Sequence, residues 1–186
     1  MGEGLIGLSK RDSNIEKEPT LVEALYSNGM ISEASFSLLL TTRECEKNSL
    51  LTLGGFKQEY FRKEMHFVSS KNKEFWDIGF NKSMVKMGSR EFELHFLSNQ
   101  LMLDSGTTKI TFSKQNMNIL IDKFVREFAI ECDFVKNGLE DLECSEVDVN
   151  KYPQIAFELT DLNGKSFTIE LEGRDYINRC YLTITF

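Results

Sequence analysis

The stretch Leu101-Met102-Leu103-Asp104-Ser105-Gly106-Thr107-Thr108 is where this sequence is best equipped for chemistry. An apolar strand runs directly into an acid, followed by small hydroxyl residues and a glycine. A carboxylate at the end of a buried strand is costly unless hydrogen bonds hold its charged form. Gly106 lets the backbone turn tightly and brings amides close to the carboxylate. Ser105 and Thr107 supply hydroxyls that can donate to it or to a neighbouring loop. Asp, Ser, Gly and Thr are also turn residues. Composition alone places Asp-Ser/Thr-Gly-Ser/Thr in about one chain in a hundred of this length. The tetrapeptide therefore takes its meaning from its context.

Other residues offer less. His66 lies in an apolar run and His95 in an alternating strand, and no Ser or Cys near either has the setting of a nucleophile elbow. The four cysteines, Cys45, Cys132, Cys144 and Cys180, contain no Cys-x-x-Cys pair, which argues against a zinc ribbon. Their even number permits disulfides, and buried thiols are the alternative. Glu140, Asp141, Glu143, Glu146 and Asp148 lack the glycine-centred pattern of a calcium loop and read as a solvated loop. Neither pattern marks a metal site. Trp76 is expected in the core or as a wall of a binding groove. Asn81-Lys82-Ser83 is a glycosylation sequon, usable if the chain enters a secretory route.

The elements that must position Asp104 are mostly strands. Residues 4–8 read as a short buried strand broken by glycine, and 9–18 as a polar loop. Leu21, Val22, Leu25 and Tyr26 recur at helical spacing before Asn28-Gly29, which predicts a helix over 20–28. Short β-prone runs follow at 35–40, 50–53, 60–68, 75–80 and 91–96, separated by Gly54-Gly55, Asn72, Gly88-Ser89 and Asn99. Met117, Leu120, Ile121, Phe124, Val125 and Phe128 then mark one face of a helix over 114–129, with Ser113 as its N-cap. Strands are predicted again at 155–159 and 167–171, joined by a turn at 161–164, and at 181–186. The sum is a mainly β chain with two short helices, in antiparallel sheets of a sandwich or closed barrel-like form.

Composition narrows the function. The chain has 186 residues and a formal net charge of -7, and 41% of its residues are hydrophobic. That length buries a core without requiring disulfides. The acidic balance argues against nucleic-acid partners and anionic membrane surfaces. No stretch approaches the ~20 apolar residues of a membrane helix. Residues 1–9 lack the basic start and long apolar run of a signal peptide.

Asp104-Ser105-Gly106-Thr107-Thr108 resembles the second active-site motif of the pepsin-like aspartic proteases, and the order of motifs around it is similar over nearly the whole chain. Gly4-Leu5-Ile6-Gly7-Leu8 resembles the strand closing that family's first lobe. The segment Thr20 to Ser32 resembles the helix and turn after it. Phe36-Ser37-Leu38-Leu39-Leu40 and Leu51-Thr52-Leu53-Gly54-Gly55 resemble strands of the sheet between the lobes. Phe75-Trp76-Asp77-Ile78 resembles the strand entering the second lobe. The helix at 114–129 falls where the family has one. Cys144 and Cys180 match a second-lobe disulfide of the family, with Tyr152 to Phe157 between them, which leaves Cys45 and Cys132 as a second pair or free.

The resemblance implies residues 1–33 as the end of the first lobe with its linking helix, and 34–186 as the C-terminal lobe without its last strands. The first aspartate motif and the flap tyrosine would lie before residue 1. The implied activity is aspartic endoproteolysis of peptide or protein substrates in a secreted, lysosomal or vacuolar setting. Water is then activated between two carboxylates sharing a proton. This chain would supply one of them, Asp104, with Ser105 tying the loop to its counterpart and Thr107 bonding the outer carboxylate oxygen. By itself the chain is expected to be inactive. Its partner would be the N-terminal lobe or a second copy meeting it across a two-fold axis. A catalytically inactive peptide-binding or inhibitor-like module of the same fold is the second reading. A carbohydrate-binding or other β-sandwich module is the third, and it would leave Asp104 exposed and unpaired.

Overall fold

The computed structural model describes residues 4–16, 18–41, 49–60, 64–107, 110–134, 142–144, 148–178, 181–182 and 184–185. The chain divides into two compact units. One comprises residues up to His66 together with Ser70–Trp76, and the other Phe67–Ser69 with Asp77–Phe186.

In the first unit, helix α1 (Leu21–Ser27) starts in a capping box. The Glu23 amide donates to Thr20 Oγ1 at 3.3 Å, and the Thr20 amide donates to Glu23 Oε2 at 2.8 Å. Two otherwise orphaned donors are satisfied in this way. Asn28 caps the far end and Gly29 takes a φ of 67°. Strands β1 (Phe36–Leu39) and β2 (Leu50–Leu53) form an antiparallel pair with Phe36 opposite Leu53. Gly54 follows β2 at φ 83°, and a Cβ there would stand 2.7 Å from Ile31 Cβ, so both conformation and space require glycine. Trp76 donates from Nε1 to the Leu8 carbonyl at 2.7 Å and meets Phe36 edge to face. Among the described residues Val22 is the buried apolar side chain here, while Leu5, Ile6, Met30 and Leu40 are exposed.

Two expectations fail in this part of the chain. Residues 4–8 form no strand, and Leu5 is 98% exposed. Apolar character gives a strand only where a ladder partner exists, and none runs beside these residues among those described. The run 60–68 is likewise no strand where it is described: Tyr60 closes a 3-10 turn and 64–68 are irregular. Arg62-Lys63-Glu64 places three consecutive charges in that run, which breaks the alternation a half-buried strand needs.

The second unit carries the core. Its strands are β3 (Asp77–Gly79), β4 (Lys82–Met87), β5 (Arg90–Leu94), β6 (Gln100–Met102), β7 (Ile110–Thr111), β8 (Cys132–Phe134), β9 (Leu142–Cys144), β10 (Gln154–Thr160), β11 (Ser166–Leu171), β12 (Ile177–Asn178), β13 (Tyr181–Leu182) and β14 (Ile184–Thr185). The main sheet has the order β11-β10-β4-β5 and is antiparallel throughout. A second sheet runs β12-β13-β9-β8, and β3 pairs with β6. One pair, β7 with β14, is parallel. The closed barrel is not found: among the described residues the main sheet has free edges at β5 and β11. The β4 strand escapes sequence reading because Lys82, Ser83 and Lys86 obscure its alternation, although Met84 and Val85 are buried.

Helix α2 (Lys114–Phe128) stands where the spacing places it, with Ser113 Oγ accepting from the Asn116 amide. Met117, Leu120 and Phe124 are fully buried in one cluster with Val85, Leu94, Ile155, Phe157 and Leu159. Val125, on the margin of that face, is 42% exposed. Ala129 ends the helix in the left-handed region at φ 55°. A third helix, the single turn α3 (Gly173–Tyr176), adds to the two expected. Its Tyr176 hydroxyl donates to the Pro153 carbonyl. The turn at Asp161 is held by its carboxylate, which accepts from the amides of Asn163 and Lys165, both at 2.9 Å. No described helix is long and apolar enough to cross a membrane.

Because Phe124 has no exposed surface and anchors this cluster, Phe124→Ala should cost about 3–5 kcal/mol of folding stability. Val125→Ala one position along should stay within about 0.5 kcal/mol. Urea denaturation of the two variants checks the difference.

Candidate active site

The β3–β6 ladder brings Asp104 to its place. Asp77 stands opposite Met102, Ile78 opposite Leu101 and Gly79 opposite Gln100. Ile78 is buried, and Leu101 packs against the core from β6. One end of the loop before β6 is fixed to α2, where Asn116 Oδ1 accepts from the Leu97 amide at 2.9 Å. Two residues after β6 the chain reaches Asp104.

The carboxylate of Asp104 is held by its own loop. Oδ1 accepts from the Gly106 amide at 2.9 Å, and Oδ2 accepts from Thr107 Oγ1 at 2.5 Å. The Thr107 amide in turn donates to the Asp104 carbonyl at 3.4 Å. A side chain at position 106 would crowd this arrangement, since its Cβ would lie 3.2 Å from Asp104 Oδ1. Glycine leaves this approach uncrowded. The Thr107 hydroxyl first, and then the Gly106 amide, hold the Asp104 carboxyl below the usual carboxylate range. These donors favour the charged form of Asp104 over the protonated one.

The loop is open. Residues 104–107 are all exposed, as are Met102 and Leu103 beside them. Exposure is what the β-sandwich reading requires of Asp104, but that reading also requires an unpaired carboxylate, and both oxygens here receive hydrogen bonds. Ser105 is exposed at the tip of the turn. Thr108 lies outside the described residues.

Of the remaining candidates, Cys45 and Cys180 lie outside the described residues, so the Cys144–Cys180 pairing does as well. The β8–β9 register places Cys132 opposite Cys144 along the backbone. His95 is exposed, with Nδ1 3.7 Å from Glu93 Oε1. Trp76 is 40% exposed in the first unit. In the acidic segment, Glu140, Asp141 and Glu146 lie outside the described residues, while Asp148 caps a short turn by accepting from the Asn150 amide. Asp77 was not singled out by sequence reasoning. It is a buried acid on β3, opposite Met102 and thus beside the strand that leads to Asp104. An acid inside the apolar run Phe75-Trp76-Asp77-Ile78 was the available signal.

The chain resembles known proteins over its length. A family model described as eukaryotic aspartyl protease matches residues 1–183. Vacuolar protease A of Aspergillus fumigatus is 24% identical over 177 residues, which is 92% of this chain and 41% of that protein. Pepsin A of Gallus gallus is 20% identical over 167 residues, 90% of this chain and 40% of that protein. Gastricsin of Oryctolagus cuniculus is 21% identical over 153 residues, 74% of this chain and 39% of that protein. The matches thus span about two fifths of these relatives' length.

Removing the strongest donor tests the geometry. In Thr107→Val the Asp104 carboxyl should move up toward its ordinary value. A carboxyl lowered in the folded state adds stability above its unfolded pKa, and that contribution is lost as pH falls through the folded pKa. Denaturation of wild type and Thr107→Val should therefore show a stability gap at neutral pH that narrows in acid.

Proposed function

The chain belongs to the eukaryotic aspartyl protease family, and on that premise we propose that it supplies one lobe of an aspartic-type endopeptidase, with Asp104 as one of two catalytic aspartates. The observation that carries this reading is the Asp104 carboxylate held through both oxygens by Gly106 and Thr107 at the end of β6.

The chemistry follows from the two protonation states a carboxyl pair can share. Two like charges about 3 Å apart cannot both ionise, so one carboxyl carries a proton and the other does not. Asp104, lowered by its loop, is suited to be the ionised member. It takes a proton from a water as that water attacks the peptide carbonyl. The protonated partner donates to the carbonyl oxygen. The tetrahedral intermediate then collapses with proton transfer to the leaving amine, and the C–N bond breaks. No metal or cofactor enters these steps.

Asp104 requires a second carboxylate. Because the matches cover about two fifths of each relative, we place that partner on an N-terminal lobe, with residues 34–186 as the C-terminal lobe and 1–33 leading into it. A second copy across a two-fold axis is the alternative source. Ser105, exposed at the tip of the turn, would tie the loop to its counterpart. Relatives named pepsin, gastricsin and vacuolar protease support a secreted, lysosomal or vacuolar setting. In an oxidising compartment Cys144 and Cys180 would form the family's second-lobe disulfide, contributing about 2–4 kcal/mol.

Peptide hydrolysis at about pH 4, with and without a statine-type inhibitor, tests the reading on the assembled two-lobe protein. Inhibitor-sensitive cleavage is expected, falling by on the order of a thousandfold or more in Asp104→Asn. Undiminished cleavage in Asp104→Asn would overturn it. Peptide mapping without reduction tests the disulfide: a linked Cys144–Cys180 peptide is expected, and Cys144 linked to Cys132 instead would refute that pairing.

A further inference from the structure

The sequon Asn81-Lys82-Ser83 takes no part in the chemistry above, and the fold gives its two defining side chains opposite fates. Asn81 is exposed on the bend between β3 and β4. Its backbone amide donates to the Glu158 carbonyl at 2.7 Å, which fixes the bend to β10. Its side-chain Nδ2 donates one hydrogen to Thr160 Oγ1 at 2.7 Å, and Thr160 is itself exposed at the end of β10. Ser83 is 1% exposed within β4, and its hydroxyl donates to the Leu94 carbonyl at 2.9 Å.

We propose that Asn81 is an N-glycosylation site, modified before β4 pairs with β5. The sequon is read through both its asparagine and its hydroxyl residue. In the folded chain the asparagine is reachable but the hydroxyl is sealed in the sheet. The transferring enzyme therefore meets a competent sequon only in the unfolded or emerging chain. The donor is a lipid-linked oligosaccharide diphosphate. Asn81 Nδ2 attacks the first sugar carbon, the N–C bond forms, the sugar C–O bond to phosphate breaks, and the lipid diphosphate leaves while the amide loses one proton. The glycosylated amide keeps one N–H.

The site also suits a bulky group. The antiparallel β3–β6 register puts Asp77 beside Met102, at the Asp104 end of the ladder, and Asn81 lies beyond Gly79 at the other end. The attachment point thus lies at the opposite end of this ladder from the Asp104 loop. The proposal requires passage through a secretory route but not proteolytic activity, so it stands or falls separately from the role of Asp104.

The intact protein isolated from the cells that make it should be treated with peptide N-glycosidase in heavy-oxygen water and digested for mass spectrometry. Position 81 is expected as aspartate carrying one heavy oxygen, with a downward gel shift of the whole protein on release. An unmodified Asn81 peptide would overturn the proposal. The order of events is tested with microsomal membranes. Chains modified during translation should acquire the glycan in wild type and Ser83→Thr but not in Ser83→Ala. Purified folded protein incubated with the same membranes opened by detergent should acquire none while the unfolded chain does, and its modification would contradict the sealing of Ser83.

Discussion

The Asp104 carboxylate stands exposed at the end of β6, and its own loop fixes it by meeting each oxygen with a donor. The Gly106 amide and the Thr107 hydroxyl each take one carboxylate oxygen. Everything else near the site serves to deliver the loop. The β3–β6 ladder fixes the strand, Leu101 and Ile78 anchor it to the core, and Asn116 at the start of α2 holds the chain that precedes it. The α2 face in turn rests on Met117, Leu120 and Phe124, which have no exposed surface. Disturbing that core would move the loop without touching its chemistry.

Much of this was legible in the sequence where the pattern was local. The α2 helix showed itself through the spacing of six apolar residues and through Ser113, because helical periodicity and capping act within one element. The turn at 161–164 and the strands beside it showed for the same reason. The Asp104 tetrapeptide was legible as a motif, and its donors are the backbone amide two residues on and the hydroxyl three residues on. Strand existence depends on partners elsewhere in the chain, and there the reading was weaker. The β4 strand pairs on both sides and buries Met84 and Val85, yet its lysines conceal it. Residues 4–8 and 64–68 look apolar enough for strands, yet form none. Neither the open sheet edges nor the single-turn helix α3 leaves a periodic signal.

The exposure of the site belongs to the same picture. Met102 and Leu103 are large apolar side chains left in solvent beside Asp104. Large exposed apolar residues in groups are the ordinary mark of surfaces that another body covers. In the proposed enzyme that body brings the second carboxylate. A single carboxylate with its own donors binds a proton weakly. A pair holds one proton jointly, and its two steps belong to both groups.

Titration of the Asp104 carboxyl by carbon NMR, assigned with Asp104→Asn, reaches the central claim most directly. In this chain alone one step is expected, below the ordinary aspartate value of about 3.9. In the cleavage-competent assembly the same carboxyl is expected to report two coupled steps, one of them raised. A single unshifted step in both states would contradict both the donor geometry of the loop and the shared proton.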